Sequence, residues 1–267
     1  MTVIASGGLR AHRATVRPVP LTRIIAVELR KMFDTRSGFW LIASIAITAV
    51  LATGGVILFA PDDELTYSTF ATAIRFPVVI ILPLIAILAV TSEWSQRTGL
   101  TTFTLIPHRY RIINAKAISS VVIAIAAMAL TFAVGALGNL VNAAITGTST
   151  VWDVTLTQCV YYVFGMVLSL LVGFMLGVLI RASIGAIVAY FIYQFLLPGV
   201  LGLLATSQNW FHNLQPWIDL QYAQSSLFLF DGPLTGQQWA NIGVTGVIWL
   251  LIPLGIGLRY VVKSEVK

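Results

Sequence analysis

Residues 155–180 read TLTQCVYYVFGMVLSLLVGFMLGVLI, a run without a single Asp, Glu, Lys or Arg. It exceeds the roughly 18 apolar residues that mark a membrane span. At about 1.5 Å per residue a helix of this length crosses a hydrocarbon core of about 30 Å. Five further runs of the same kind are placed at 38–59, 74–92, 117–141, 183–205 and 239–260. None of them alternates with period two, which argues against a barrel. The expected fold is therefore an all-α polytopic membrane protein with six transmembrane helices. Composition agrees: 58% of the 267 residues are hydrophobic and 10% charged, where soluble domains average about 25% charged.

Charge orients the six spans. With the N terminus inside, the inner segments (1–37, 93–116, Arg181 and 259–267) hold every Lys and Arg except Arg75. The outer segments hold Asp62, Asp63, Glu64, Asp153, Asp219 and Asp231. Lys and Arg are retained on the cytoplasmic side, so both termini are expected in the cytoplasm, in the plasma (inner) membrane of a prokaryote. The net charge of +6 reflects this orientation before it reflects any anionic partner, and no nucleic-acid partner is expected. The first span is expected to be a retained signal anchor, because the polar stretch before it is too long for a usual signal peptide.

Residues 1–20, with Arg10, Arg13 and Arg17, read as a disordered basic tail, and 263–267 as a short cytoplasmic one. Between the first tail and the 37–262 membrane domain, residues 21–36 read as an amphipathic helix on the inner leaflet. On a helical wheel Leu21, Ile24, Ile25, Leu29, Met32 and Phe33 share one face, largely opposite Arg23, Arg30, Lys31 and Asp34. Glu28 points into the apolar face. It either snorkels or pairs with a nearby Arg, or it pairs with the basic middle loop or a partner subunit.

Several features inside the spans stand out. Gly165, Ser169, Gly173 and Gly177 recur every four residues, a small-residue stripe that admits close helix approach, within the subunit or at a subunit interface. Gln194 falls near mid-membrane, where an unpaired amide is costly; it bonds a neighbouring helix or faces a cavity. Arg75, near the outer end of the second span and followed by Pro77 and Pro83, reaches the outer headgroups or lines a polar outer cavity. The outer loop 206–238 carries Trp210, Phe211, Trp217, Phe228 and Phe230, and one or two short helices dipping into the interface are expected there.

Much chemistry is missing. No Gly-Lys dipeptide occurs, so there is no phosphate-binding P-loop, and neither H-E-x-x-H nor G-x-S-x-G is present. His12, His108 and His212 lack ligand spacing, and the single Cys159 excludes an internal disulfide. No site for a metal or a resident cofactor is expected. The span centres carry no carboxylate, the usual mark of a proton-driven carrier. If the protein moves a substrate uphill, its energy comes from another chain.

A place for such a chain to act is the loop 91–116, TSEWSQRTGLTTFTLIPHRYRIINAK. It is basic, cytoplasmic by its charge, and too long for a simple turn. Glu93-x-x-x-Arg97-Thr98-Gly99, then Thr102–Leu105, Pro107, Arg109 and Lys116, resembles the first cytoplasmic loop of ATP-binding cassette (ABC) permeases of the type-two export class. Val27-Glu28-Leu29-Arg30-Lys31 resembles their amphipathic connecting helix. The resemblance covers the whole chain in architecture, and 24–40 and 91–116 in motifs. It implies a transport subunit that is not itself an enzyme, with a short coupling helix that docks on a separate ATPase subunit. Two copies of that ATPase would bind ATP and Mg. A second permease copy or a related permease would complete the membrane pore. Glu93, Arg97, Thr98, Gly99 and Glu28 are the expected ATPase-coupling residues. Glu93 and Arg97, four apart, can support each other on a helix, and Gly99 can end it. Tyr190, Tyr193 and Gln194 are candidates for lining the cargo path, and their aromatic character favours export of a lipophilic or amphipathic compound such as a drug, a peptide antibiotic or a lipid. The competing expectation is a non-transporting scaffold or sensor that recruits a cytoplasmic partner through its basic inner face.

Overall fold

The computed structural model describes residues 19–61, 64–95, 109–229 and 232–263. The described residues are helical with no strand, and six of the helices are long and apolar enough to span a membrane. A short helix, α1 (Leu21–Asp34), leads into α2 (Arg36–Phe59). Then come α3 (Tyr67–Ser95), α4 (Arg109–Thr146) and α5 (Leu156–Ile180). The fifth span is α6 (Ser183–Ser207). Two short helices, α7 (Asn209–Ile218) and α8 (Leu220–Ser225), and the 3-10 turn Ser226–Phe228 fill much of the expected outer loop. The last span, α9, runs through Gly236–Gly246, a π turn at Val247–Leu251, and Ile252–Lys263.

Helix starts follow local chemistry. Thr155 and Thr235 each open a capping box, T-x-x-Q, with Gln158 and Gln238. Thr35 separates α1 from α2 and accepts a hydrogen bond from the Gly38 amide. Gly38 is needed there, because a Cβ would collide with the Met32 carbonyl oxygen. Asp219 caps α8, accepting from the amides of Gln221 and Tyr222.

Packing places α3 and α5 at the centre. In α5 61% of the apolar stretch is buried, against 17% in α2 and 6% in α6. The main core joins Ile45 and Ala49 of α2, Ile74, Val78 and Leu82 of α3, Ala124 and Met128 of α4, and Met166, Leu170 and Phe174 of α5. The small-residue stripe of α5 is what lets the neighbours approach. A Cβ on Gly173 would lie 2.6–2.8 Å from Pro83 of α3, and one on Gly165 would lie 2.5 Å from the Phe228 ring. Gly177 faces Ile87. Ser169 accepts a 2.9 Å hydrogen bond from the Gln224 side-chain amide. All four contacts lie within this one chain.

Three helices run furthest past their expected bounds, α3, α4 and α9. At about 1.5 Å per residue, α3 with 29 residues and α4 with 38 measure about 43 and 57 Å, well beyond an apolar core of about 30 Å. The expected 91–116 loop is helical at both ends: 91–95 belong to α3 and 109–116 to α4.

Candidate functional site

Two polar constellations stand apart, one at the α1 end of the bundle and one part-way along α3 and α6. At the α1 end, Glu28 is 4% exposed. One carboxylate oxygen is 2.6 Å from Lys116 Nζ on α4, itself buried, and the other is 2.7 Å from Lys31 Nζ on α1. Burying a carboxylate costs several kcal/mol unless it is paired and hydrogen-bonded, and both conditions are met here. Around the bridge, Ser119 Oγ donates to the Ile25 carbonyl, and Arg111 donates to the Val19 carbonyl at 2.7 Å. Thr91 and Ser183 hydroxyls, 2.8 Å apart, join α3 to the start of α6. Of the expected coupling residues, Glu28 thus faces the interior of its own chain, and Glu93 lies in the last turn of α3. Arg97, Thr98 and Gly99 fall outside the described residues.

The second constellation lies between α3, α6 and α8, toward the α7–α8 end. Its organising cause is proline. Pro83 has no N–H to offer the Val79 carbonyl one turn back, and the Tyr190 hydroxyl of α6 donates to that oxygen at 2.6 Å. In α6 the helix widens into a π turn at Ile192–Leu196, where the Leu197 amide reaches back to the Ile192 carbonyl. The next donor in that register is Pro198, which again has none, so the Tyr193 carbonyl is left open. The Gln221 side-chain amide of α8 donates to it at 2.8 Å. A bilayer demands that freed backbone groups be satisfied by neighbouring elements, and here Tyr190 and Gln221 do this for α3 and α6.

These residues border two cavities. A polar one of about 160 Å³ is lined by Arg75, Val79, Gln194, Gln221, Gln224 and Phe228, among others. The Arg75 guanidinium lies over the Phe228 ring, 4.8 Å from its centroid. Gln194 Oε1 is 3.2 Å from the Tyr190 hydroxyl and 3.3 Å from Gln221 Nε2. An apolar cavity of about 350 Å³ is lined by Val172, Met175 and Leu176 of α5, Tyr193 and Leu197 of α6, and Trp249 of α9, among others. Trp249 is held by a 2.6 Å hydrogen bond from its indole to the Ile218 carbonyl. Tyr193 and Gln194 thus line one cavity each, while Tyr190 is wholly enclosed and serves as a tie between α6 and α3.

The role of the two prolines was hidden in the sequence. Pro83 and Pro198 mark where a donor is missing, but the residue that supplies it lies on another helix. Arg75 lines a polar cavity instead of only facing outward, because α8 folds back over it. Among the described residues no group of three or more His, Cys, Asp or Glu could hold a metal. Compared with known proteins, the chain matches no family model and no curated protein.

Proposed function

We propose that the chain is the membrane-spanning permease subunit of an ABC exporter of the type-two class, in a prokaryotic plasma membrane with both termini cytoplasmic. It carries no ATPase motif, so two separate ATPase subunits bind ATP and Mg and dock on the 91–116 region. A second permease copy, or a related permease, completes the pore. The cargo is a lipophilic or amphipathic compound, a drug, a peptide antibiotic or a lipid.

The observation that carries this reading is the buried Glu28–Lys116 bridge. It fastens α1 to α4 near the start of α4, just after the 96–108 segment in the chain. In this reading α1 is the connecting helix on the inner leaflet, its Arg23 and Arg30 toward anionic headgroups. A push on the 96–108 segment then reaches α3 and α4 directly. Because α1 is locked to α4, the displacement moves a rigid unit, not a loose tail. ATP binding closes the ATPases and shifts the permease toward its outward state, and cargo leaves by way of the region bordered by Tyr193 and Gln194.

Affinity purification of the tagged chain from its native membrane tests the partnership. An ATPase subunit is expected to copurify; repeated recovery without one favours a scaffold that recruits some other cytoplasmic partner. In the reconstituted complex, Glu93→Ala is expected to lower cargo-stimulated ATP hydrolysis while leaving the membrane level unchanged. Undiminished activity in that variant would sink the coupling role of Glu93.

A further inference from the structure

α6 and α9 each pack against α5, but their backbones do not pack closely on one another. The apolar cavity of about 350 Å³ is the gap between them. Its floor includes Met175 and Leu176 of α5, the central helix, and its walls include Ile192 and Tyr193 of α6 and Trp249 and Pro253 of α9. Tyr193 and Trp249, with ring centroids 6.0 Å apart, bridge the gap. The bond from the Trp249 indole to the Ile218 carbonyl, at the end of α7, bounds it on that side.

Both walls carry the same device. Among the described residues the chain has two π turns, Ile192–Leu196 on α6 and Val247–Leu251 on α9, and residues of both line this one cavity. In each, the first amide after the turn reaches back five residues, from Leu197 to the Ile192 carbonyl and from Ile252 to the Val247 carbonyl. A proline follows at the same offset in both, Pro198 and Pro253. π turns are uncommon and occur frequently at functional sites.

The polar atoms of the walls are kept out of the cavity. The Trp249 N–H is spent on Ile218, and the Tyr193 hydroxyl is sealed from any accessible space. A cavity of this kind holds no water and takes an apolar ligand; left empty, its lining forfeits dispersion contacts. The open side is apolar too. Ile192 is half exposed, Val188 and Leu196 about one turn to either side of it are exposed, and so are Leu251, Ile252 and Ile256 on α9. In a bilayer that side meets hydrocarbon. The volume lies within the roughly 300–1,000 Å³ of ligand sites. A neighbouring helix, about 10 Å across and rising about 5.4 Å per turn, exceeds it with a single turn, whereas a flexible hydrocarbon chain fits.

We propose that this gap binds one acyl chain of a membrane phospholipid, laid between α6 and α9 against α5. The site stands independently of the transport reading.

Photolabelling of the full-length chain tests it, in phosphatidylcholine vesicles that include a phosphatidylcholine bearing a diazirine midway along one acyl chain. After illumination and digestion, mass spectrometry locates the adducts. Met175 is almost wholly buried, yet Met175 and Trp249 are expected to be labelled at least as strongly as Val50 and Leu51, which are exposed on α2. Ala189 lines the cavity, so Ala189→Phe fills part of it and should cut the labelling of Met175 and Trp249 severalfold, with that of Val50 and Leu51 unchanged. If Ala189→Phe fails to insert, Leu176→Phe fills the same space and carries the test. Labelling of Met175 and Trp249 well below that of Leu51, or labelling that the filling variants leave unchanged, overturns the proposal. Disulfide-linked dimers formed by Ile192→Cys in a Cys159→Ser background would also overturn it, by assigning the gap to a second copy of the chain.

Discussion

Glu28 and Lys116 are 88 residues apart, and their side chains meet at 2.6 Å in a setting almost closed to water. Removing one partner of such a pair costs far more than removing both, because it strands the other charge. Glu28→Met is expected to destabilise the chain by about 3–5 kcal/mol. The double variant Glu28→Met/Lys116→Met should recover a large part of this, read as thermal unfolding midpoints of the four members of a double-mutant cycle. Additive losses would show that the pair is not coupled. Asp153 offers a pH test at the other end. Burial alone would raise its pKa, but hydrogen bonds from the Ser68 hydroxyl and amide, at 2.5 and 2.9 Å, hold it below the usual carboxylate range. A depressed folded-state pKa means that the stabilisation is present above the ordinary Asp value of about 3.9. It is lost as pH falls through the lower folded value. Unfolding midpoints followed from pH 7 to 3 should therefore converge for wild type and Asp153→Asn at the acid end and separate at neutral pH.

At the scale of elements, close approach and proline repair decide what each helix tolerates. Gly173→Ala puts a Cβ against the backbone of Pro83, where neither side can move freely, and overpacking of this kind costs about 1–3 kcal/mol. At Gly202 on α6 an added Cβ would meet nothing within 4 Å, so Gly202→Ala should be neutral or stabilise by up to about 1 kcal/mol. Thermal shifts of the two variants in one detergent separate these outcomes. Gln221→Leu removes the donor on the Tyr193 carbonyl, a loss of about 1–3 kcal/mol for a buried unsatisfied group. Pro198→Ala restores an amide in the register of the π turn and should rescue much of that loss in the double variant. The absence of rescue would show that the Gln221 amide is not replacing a proline-deleted donor.

For the whole molecule, the property to test is orientation. In a Cys159→Ser background, cysteines at Asp62 and Asp231 should react with an impermeant reagent from outside, and one at Lys267 only after permeabilisation. Labelling of Asp62 or Asp231 positions from the cytoplasm would overturn the topology. The physical basis is the segregation of basic residues, which no local packing feature can reverse.

Six helices long and apolar enough to span a membrane, their order and the two short helices within 206–238 were legible because a bilayer imposes length and apolarity on each segment separately. The capping boxes at Thr155 and Thr235 were legible in principle for a related reason, since their partners lie three residues away. What the tertiary structure alone decided depends on distant segments. It chose α5 as the centre and α6 as the periphery, although both are apolar and long enough to span, because burial depends on which neighbours pack where. It joined Glu28 to Lys116. It also closed α8 over Arg75 and Gln194, so that residues more than a hundred positions apart came to line one polar cavity. Hydropathy acts residue by residue along the chain, whereas charge pairing, proline repair and cavities arise only between helices, and that is why the first could be read before folding and the others could not.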